Sequence, residues 1–344
     1  MISLKGLKDK LSGKIAQKPT LKATMMGPRA VGKTSLMASI FNETRDTVAG
    51  AGFFFVPTDE TAKDLSIKNL QLKNIIETRK SIQDAPQTGA IEASSTETTF
   101  CFEMGLVGRA SSINVQIKDF PGEYLVSNPQ KVTEFIQESS VIMVAIDTPY
   151  LMEDGGKYNE AKNDVKRVTR FLEQNSDTIK DKMILLIPLK SERYFHDNRL
   201  EELNAKVKQV YAKLIDVCSE SNIACVITPI QTLGHVEFDK FVDNSMGYGT
   251  LPKLSRFRFY GENPRFLPMF CVQPLYYTLT YVANQYEWIS HQPKGLMDRM
   301  KNSILAYLKD DDDFFHEIKK MGEHIKYEDD GYEIVVTNTI FKLK

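Results

Sequence analysis

An α/β fold built on a mostly parallel sheet is predicted by three observations. Apolar runs of strand length alternate with amphipathic stretches of helical period, a glycine loop joins the first run to the first such stretch, and a second glycine loop ends the third run. The chain has 344 residues, 42% of them hydrophobic and 26% charged, which suits a full core and does not suit a disordered chain. With 44 Lys plus Arg against 45 Asp plus Glu, the net charge is -1. That balance gives no basis for a nucleic-acid binder, which must neutralise many phosphates.

Taken in order, strands are expected near 21–26, 97–107, 112–119, 140–147, 182–188 and 223–228, about six in all, with helices near 33–42, 157–175, 199–220 and 272–289 on both faces. The turn Gly108-Arg109-Ala110 is too short for a parallel crossover, so the second and third strands should be antiparallel. An insertion over 43–96 carries an expected helix at 59–80 and a polar loop at 81–96. These elements make one domain over 20–290. Before it, residues 1–19 form a basic lead in which Lys5, Lys8, Lys10, Lys14 and Lys18 accompany an apolar face of Leu4, Leu7, Leu11 and Ile15. Gly6 and Gly13 weaken that helix, so surface docking at a membrane is the lesser reading beside a packed or frayed terminus. After it, residues 291–344 read as a small α+β extension ending in a hairpin around Tyr332 to Phe341, with Asp310 to Asp313 as a solvated helix start.

The four cysteines, Cys101, Cys218, Cys225 and Cys271, lack metal-ligand or disulfide-framework spacing, which fits a reducing cytoplasm. No run is long enough for a membrane span, and no secretory signal is evident. The histidines His196, His235, His291, His316 and His324 show no catalytic spacing.

The chemistry lies in the two glycine loops. Gly27-Pro28-Arg29-Ala30-Val31-Gly32-Lys33-Thr34 follows the run Leu21 to Met26 and precedes a helix that begins with Ser35, a full G-x-x-x-x-G-K-[ST] match in the strand, loop and helix order of a P-loop NTPase. Glycines let successive N–H groups and the positive helix end face phosphates, Lys33 would bridge the β and γ phosphates, and the Thr34 hydroxyl would bind Mg2+. The strand from Ile113 ends in Asp119-Phe120-Pro121-Gly122-Glu123. Asp119 would serve magnesium, and Gly122 would offer a bare N–H to the γ phosphate.

With these motifs the chain resembles the TRAFAC class of P-loop GTPases over roughly residues 20 to 290. Asp119-Phe120-Pro121-Gly122-Glu123, Thr228-Pro229-Ile230-Gln231-Thr232-Leu233-Gly234 and Gln273-Pro274-Leu275 are similar to the bacterial double-GTPase group and its YcjX-like relatives. The absence of an acidic residue directly after Asp119 argues against an AAA-type ATPase. The resemblance implies GTP and GDP as ligands, and guanine reading by an [NT]-K-x-D motif after the fifth strand. Here that place holds Leu189-Lys190-Ser191-Glu192: Lys190 would pack over the base and Glu192 would replace the aspartate, while Leu189 cannot act as Asn or Thr does. The loop from Thr228 to Thr232 would close over the base with backbone groups.

Glu123 stands where relatives often carry a water-orienting glutamine, so it is a candidate for that role or for partner contact. Arg29 takes the loop's third position, where it either approaches the phosphates or points to solvent. The magnesium-sensing threonine of the class is expected at Thr88, with Thr96 as its rival. The resulting expectation is a magnesium-dependent GTPase switch acting through partner proteins or a second GTPase domain, of a kind the family resemblance places in multi-gene, defence-type systems. A nucleotide-binding scaffold that does not hydrolyse, an ATPase, and a small-molecule kinase relying on Arg193 and Arg199 are the alternatives.

Overall fold

The computed structural model describes residues 18, 20–50, 52–78, 97–109, 112–245, 251–290, 313–314, 316–318, 320 and 331–341. The basic lead up to residue 17, the polar loop with Thr88 and Thr96, and 291–312 therefore lie outside the described residues.

Alternation decides the central strands. In β5 (Val141–Asp147), Val141, Met143 and Ala145 enter one apolar cluster while Ile142, Val144 and Ile146 enter another, so both sheet faces are covered. The same holds for β6 (Met183–Leu189). With β1 (Thr20–Met26), β2 (Phe53–Pro57), β3 (Thr98–Leu106), β4 (Ile113–Asp119), β7 (Ala224–Ile227) and β10 (Glu333–Val336), these form an eight-stranded sheet in the order β10-β7-β6-β5-β1-β4-β3-β2. The pairs β1–β4, β1–β5, β5–β6 and β6–β7 are parallel. β3 and β4 run antiparallel, as the short connection between them requires.

All six expected strands are present, and two edge strands extend them. β2 arises inside the insertion and pairs antiparallel with β3; β10 pairs antiparallel with β7. The terminal hairpin is thus corrected: among the described residues the segment gives one strand, which joins the main sheet instead of folding on itself. Two further strands, β8 (Val236–Asp243) and β9 (Lys253–Phe259), make a separate antiparallel ribbon that the sequence reading did not assign.

The helices Lys33–Gly50 and Gln273–Ser290 cover one face, together with Phe314, Ile318 and Phe341. Helices Pro129–Glu138, Val165–Gln174, Leu200–Val210 and Ala212–Glu220 cover the other. The single helix expected over 157–175 is broken at Asp164, whose φ of 50° is left-handed, into Asn159–Asn163 and Val165–Gln174. The helix expected in the insertion spans Asp59–Thr78.

Candidate functional site

β1 lies between β4 and β5, so the loop leaving it emerges where the neighbouring strand ends converge. Gly27 has a φ of 147°, and a Cβ there would meet the Ala145 carbonyl oxygen of β5 at 2.8 Å. Only glycine lets the loop pass that close. The chain then turns through a left-handed Ala30 (φ 58°) and enters the helix at Lys33, whose first turn carries no acidic residue to compete with an anion. Val31 is buried under the loop, Pro28, Ala30, Thr34 and Ser35 are half-buried, and the Arg29 side chain is exposed.

The second loop comes from β4, in register with β1 such that Met25 is opposite Asp119. A Cβ on Gly122 would meet the Gly27 carbonyl oxygen at 2.8 Å and Pro28 Cα at 3.1 Å, so the two glycine loops are in backbone contact. Buried Lys33 and Asp119 face each other, Nζ to Oδ1 3.6 Å. Burial raises the Asp119 pKa, and the Lys33 ammonium opposes that rise. Asp119 Oδ1 is buried without a hydrogen-bond partner, and Lys33 Nζ turns back to the carbonyls of Gly27 (3.1 Å) and Pro28 (3.3 Å). An orphaned carboxylate oxygen beside an ammonium, at the start of a helix that follows a glycine loop, fits a metal-bound polyphosphate, with Thr34 on the same helix turn as Lys33. Glu123, directly after Gly122, is exposed and starts the short helix Tyr124–Ser127.

The third part lies at the ends of β6 and β7. Lys190, itself left-handed (φ 61°), donates from Nζ to the Ala30 carbonyl (3.1 Å) and to Asp147 Oδ2 (2.6 Å). Its stem lies against the phosphate loop, since a Cβ on Gly32 would be 3.9 Å from Lys190 Cε. Glu192 is buried, and its Oε1 accepts the Leu233 N–H at 2.8 Å. Burial pushes the Glu192 carboxyl up to about 7 against the pull of the amides at 232–234. Glu192 therefore anchors the loop that begins at buried Thr228, and Ser39 of the helix Lys33–Gly50 donates to the Thr232 carbonyl of that loop (2.8 Å).

Three charged groups here carried no sequence motif. Asp147, wholly buried at the end of β5, has Oδ1 unpartnered. Lys162, on the helix Asn159–Asn163, donates to the Arg29 carbonyl at 2.7 Å. Glu43, on the helix Lys33–Gly50, accepts the Cys271 N–H at 2.8 Å just before the helix Gln273–Ser290. A capping pattern could have revealed Glu43 only if its partner, more than two hundred positions away, were known.

The profile of the Double-GTPase 2 family matches residues 24–224, more than half of the chain. The chain belongs to the Double-GTPase 2 family. The match spans both glycine loops and the Lys190 segment and ends at the start of β7. No curated protein matches. Similar solved structures are the S. cerevisiae Ski7 GTPase-like domain bound to GTP (14% identity, TM-score 0.38, 77% of this chain and 50% of that chain) and the same domain bound to GDP and inorganic phosphate (16%, 0.36, 73% and 49%). Another is sup35 complexed with GDP (9%, 0.30, 66% and 41%). This double-GTPase chain thus spans half or less of the length of each.

Proposed function

We propose that this chain is a magnesium-dependent GTPase that switches partner proteins between two states. The observation carrying the proposal is the buried approach of Lys33 to Asp119 where Gly122 backs onto Gly27. The loop from Gly27 to Gly32 and the N–H groups of Lys33, Thr34 and Ser35 hold the β and γ phosphates, and Lys33 exchanges its loop carbonyls for phosphate oxygens. Thr34 and Asp119 hold Mg2+, with Thr88 as the added ligand in the triphosphate state. When bound, magnesium neutralises charge building on the transferring phosphoryl group. Gly122 donates its N–H towards the γ phosphate, and the exposed Glu123 orients the attacking water, with Arg29 close enough in sequence to meet the same phosphate. Lys190 lies along the base, while Glu192 and Thr228 shape the loop that closes the base site.

Two observations favour a second reading, a nucleotide-holding scaffold with little turnover or base preference. Glu123 stands exposed, and Glu192 is already engaged by Leu233. The insertion and the C-terminal extension are the proposed contacts for partner proteins or a second GTPase domain. Among the described residues no helix is long and apolar enough to cross a membrane, and no cluster of His, Cys, Asp or Glu could hold a separate metal ion. We place the protein in the cytoplasm, in keeping with the four free cysteines.

Competition binding of GTP, GDP and ATP at several magnesium concentrations, followed by single-turnover hydrolysis with wild type and Glu123→Ala, tests the proposal. Guanine preference, magnesium dependence and slowed hydrolysis in the variant are expected. Preference for ATP overturns the guanine assignment, and tight binding with no hydrolysis beside any tested partner selects the scaffold.

A further inference from the structure

Four consecutive carbonyls of the phosphate loop each accept from a lysine: Lys33 takes those of Gly27 and Pro28, Lys162 that of Arg29, and Lys190 that of Ala30. Lys33 belongs to the loop motif and Lys190 to the base-side segment. Lys162 belongs to neither, and arrives from the far end of β5.

The local structure delivers it deliberately. Asn163 clamps the β5 end, accepting the Asp147 N–H at 2.8 Å and donating to its carbonyl at 3.1 Å, and the chain then breaks at left-handed Asp164. This fixes the helix Asn159–Asn163 against the loop and leaves Lys162 only 8% exposed. Burying an ammonium against a neutral carbonyl is unfavourable unless negative charge is near. The charged groups facing it are Asp147, already paired with Lys190, and the cations Lys190 and Lys33; the Tyr150 ring lies 5.7 Å from Nζ. Three lysines, Lys33, Lys162 and Lys190, therefore stand against two carboxylates, Asp119 and Asp147, around the loop. Among the described residues, the N–H groups of Ala30, Val31 and Gly32 meet no backbone acceptor.

Resting on the reading that this loop binds nucleotide phosphates, we propose that Lys162 is a positioning residue of the loop. Its ammonium holds the Arg29 carbonyl to one side, so the Ala30 N–H, on the opposite side of the same trans peptide, faces the phosphates, and it adds a fixed positive charge behind them. Burial lowers Lys162 to about 8, with Asp147 opposing and Lys190 and Lys33 adding to the shift, so the charge is present at neutral pH and lost just above it.

The test is equilibrium binding of fluorescent GDP and GTP, with magnesium, to the full chain as wild type, Lys162→Met and Lys162→Arg between about pH 6.5 and about pH 9, with thermal melts alongside. Wild-type affinity should fall about tenfold through pH 8, Lys162→Arg should stay flat, and Lys162→Met should bind about tenfold more weakly at neutral pH with no inflection. A purely structural role would lower the melting temperature of Lys162→Met and leave the pH profiles of wild type and Lys162→Arg alike. That result, or wild-type affinity in Lys162→Met, overturns the proposal. Failure of the wild type to bind either nucleotide overturns the reading of the site beneath it, and this inference with it.

Discussion

Lys33 Nζ lies 3.6 Å from Asp119 Oδ1, a buried contact between the loop leaving β1 and the last residue of β4. Asp119 is the carboxylate facing the buried Lys33 ammonium, so an isosteric neutral group there leaves that cation with backbone carbonyls alone. Asp119→Asn is expected to melt below the wild type, while the magnesium-dependent part of GTP affinity drops about ten- to a hundredfold. Titrations with and without magnesium check this. Lys33→Ala should abolish measurable binding.

Gly122 has no room for a side chain, since its Cβ would press on backbone atoms of Gly27 and Pro28. Gly122→Ala should push the two glycine loops apart, destabilising the fold by about 1–3 kcal/mol. Under the proposed function the displaced N–H serves the γ phosphate, so hydrolysis should fall more than GDP affinity. Parallel denaturation, GDP binding and single-turnover rates distinguish the two effects.

Glu43 should make stability depend on pH. Burial pushes its carboxyl up to about 7 against the pull of the amides of Cys271, Val272 and Phe270. The folded chain therefore keeps a proton that the unfolded chain releases at about 4.5, so this contribution is full below that value and is lost as pH rises to about 7. The melting temperature of Glu43→Gln should decline less than that of wild type across this window. Glu192, raised to about 7 in the same direction, leaves part of the slope in the variant.

Phe341 is wholly buried beside Tyr281, with the ring centroids 6.5 Å apart. Phe341→Ala should destabilise the chain by about 3–5 kcal/mol, because a cavity opens under the edge of the sheet. Urea denaturation provides the measurement.

The phosphate loop and the Asp119 loop were legible because each depends on local glycine geometry and on a strand that ends beside it. The parallel core was legible for the same reason: runs such as Val141 to Ile146 and Met183 to Ile187 are apolar on both faces. β2 was hidden in an insertion dominated by polar helix, and only its pairing with β3 makes Phe53 to Pro57 a strand. β8 and β9 carry no clean alternation, since the register shift between Phe238 and Lys240 breaks the period of two. Lys162, Asp147 and Glu43 were not legible, since each acquires its role from a partner brought close by the sheet order. Nothing local to Glu192 announces its bond from the Leu233 N–H, because that loop reaches it only once β7 has paired with β6.

β7 closes its outer edge against a strand supplied far later in the chain, with Glu333 opposite Ile227 and Ile334 opposite Val226. During synthesis, the parallel strands can assemble while that rim still offers unpaired backbone groups to any passing polypeptide. The interval before β10 emerges is therefore the time at which a newborn chain is most open to a chaperone, or to mispairing with its neighbour on the same messenger.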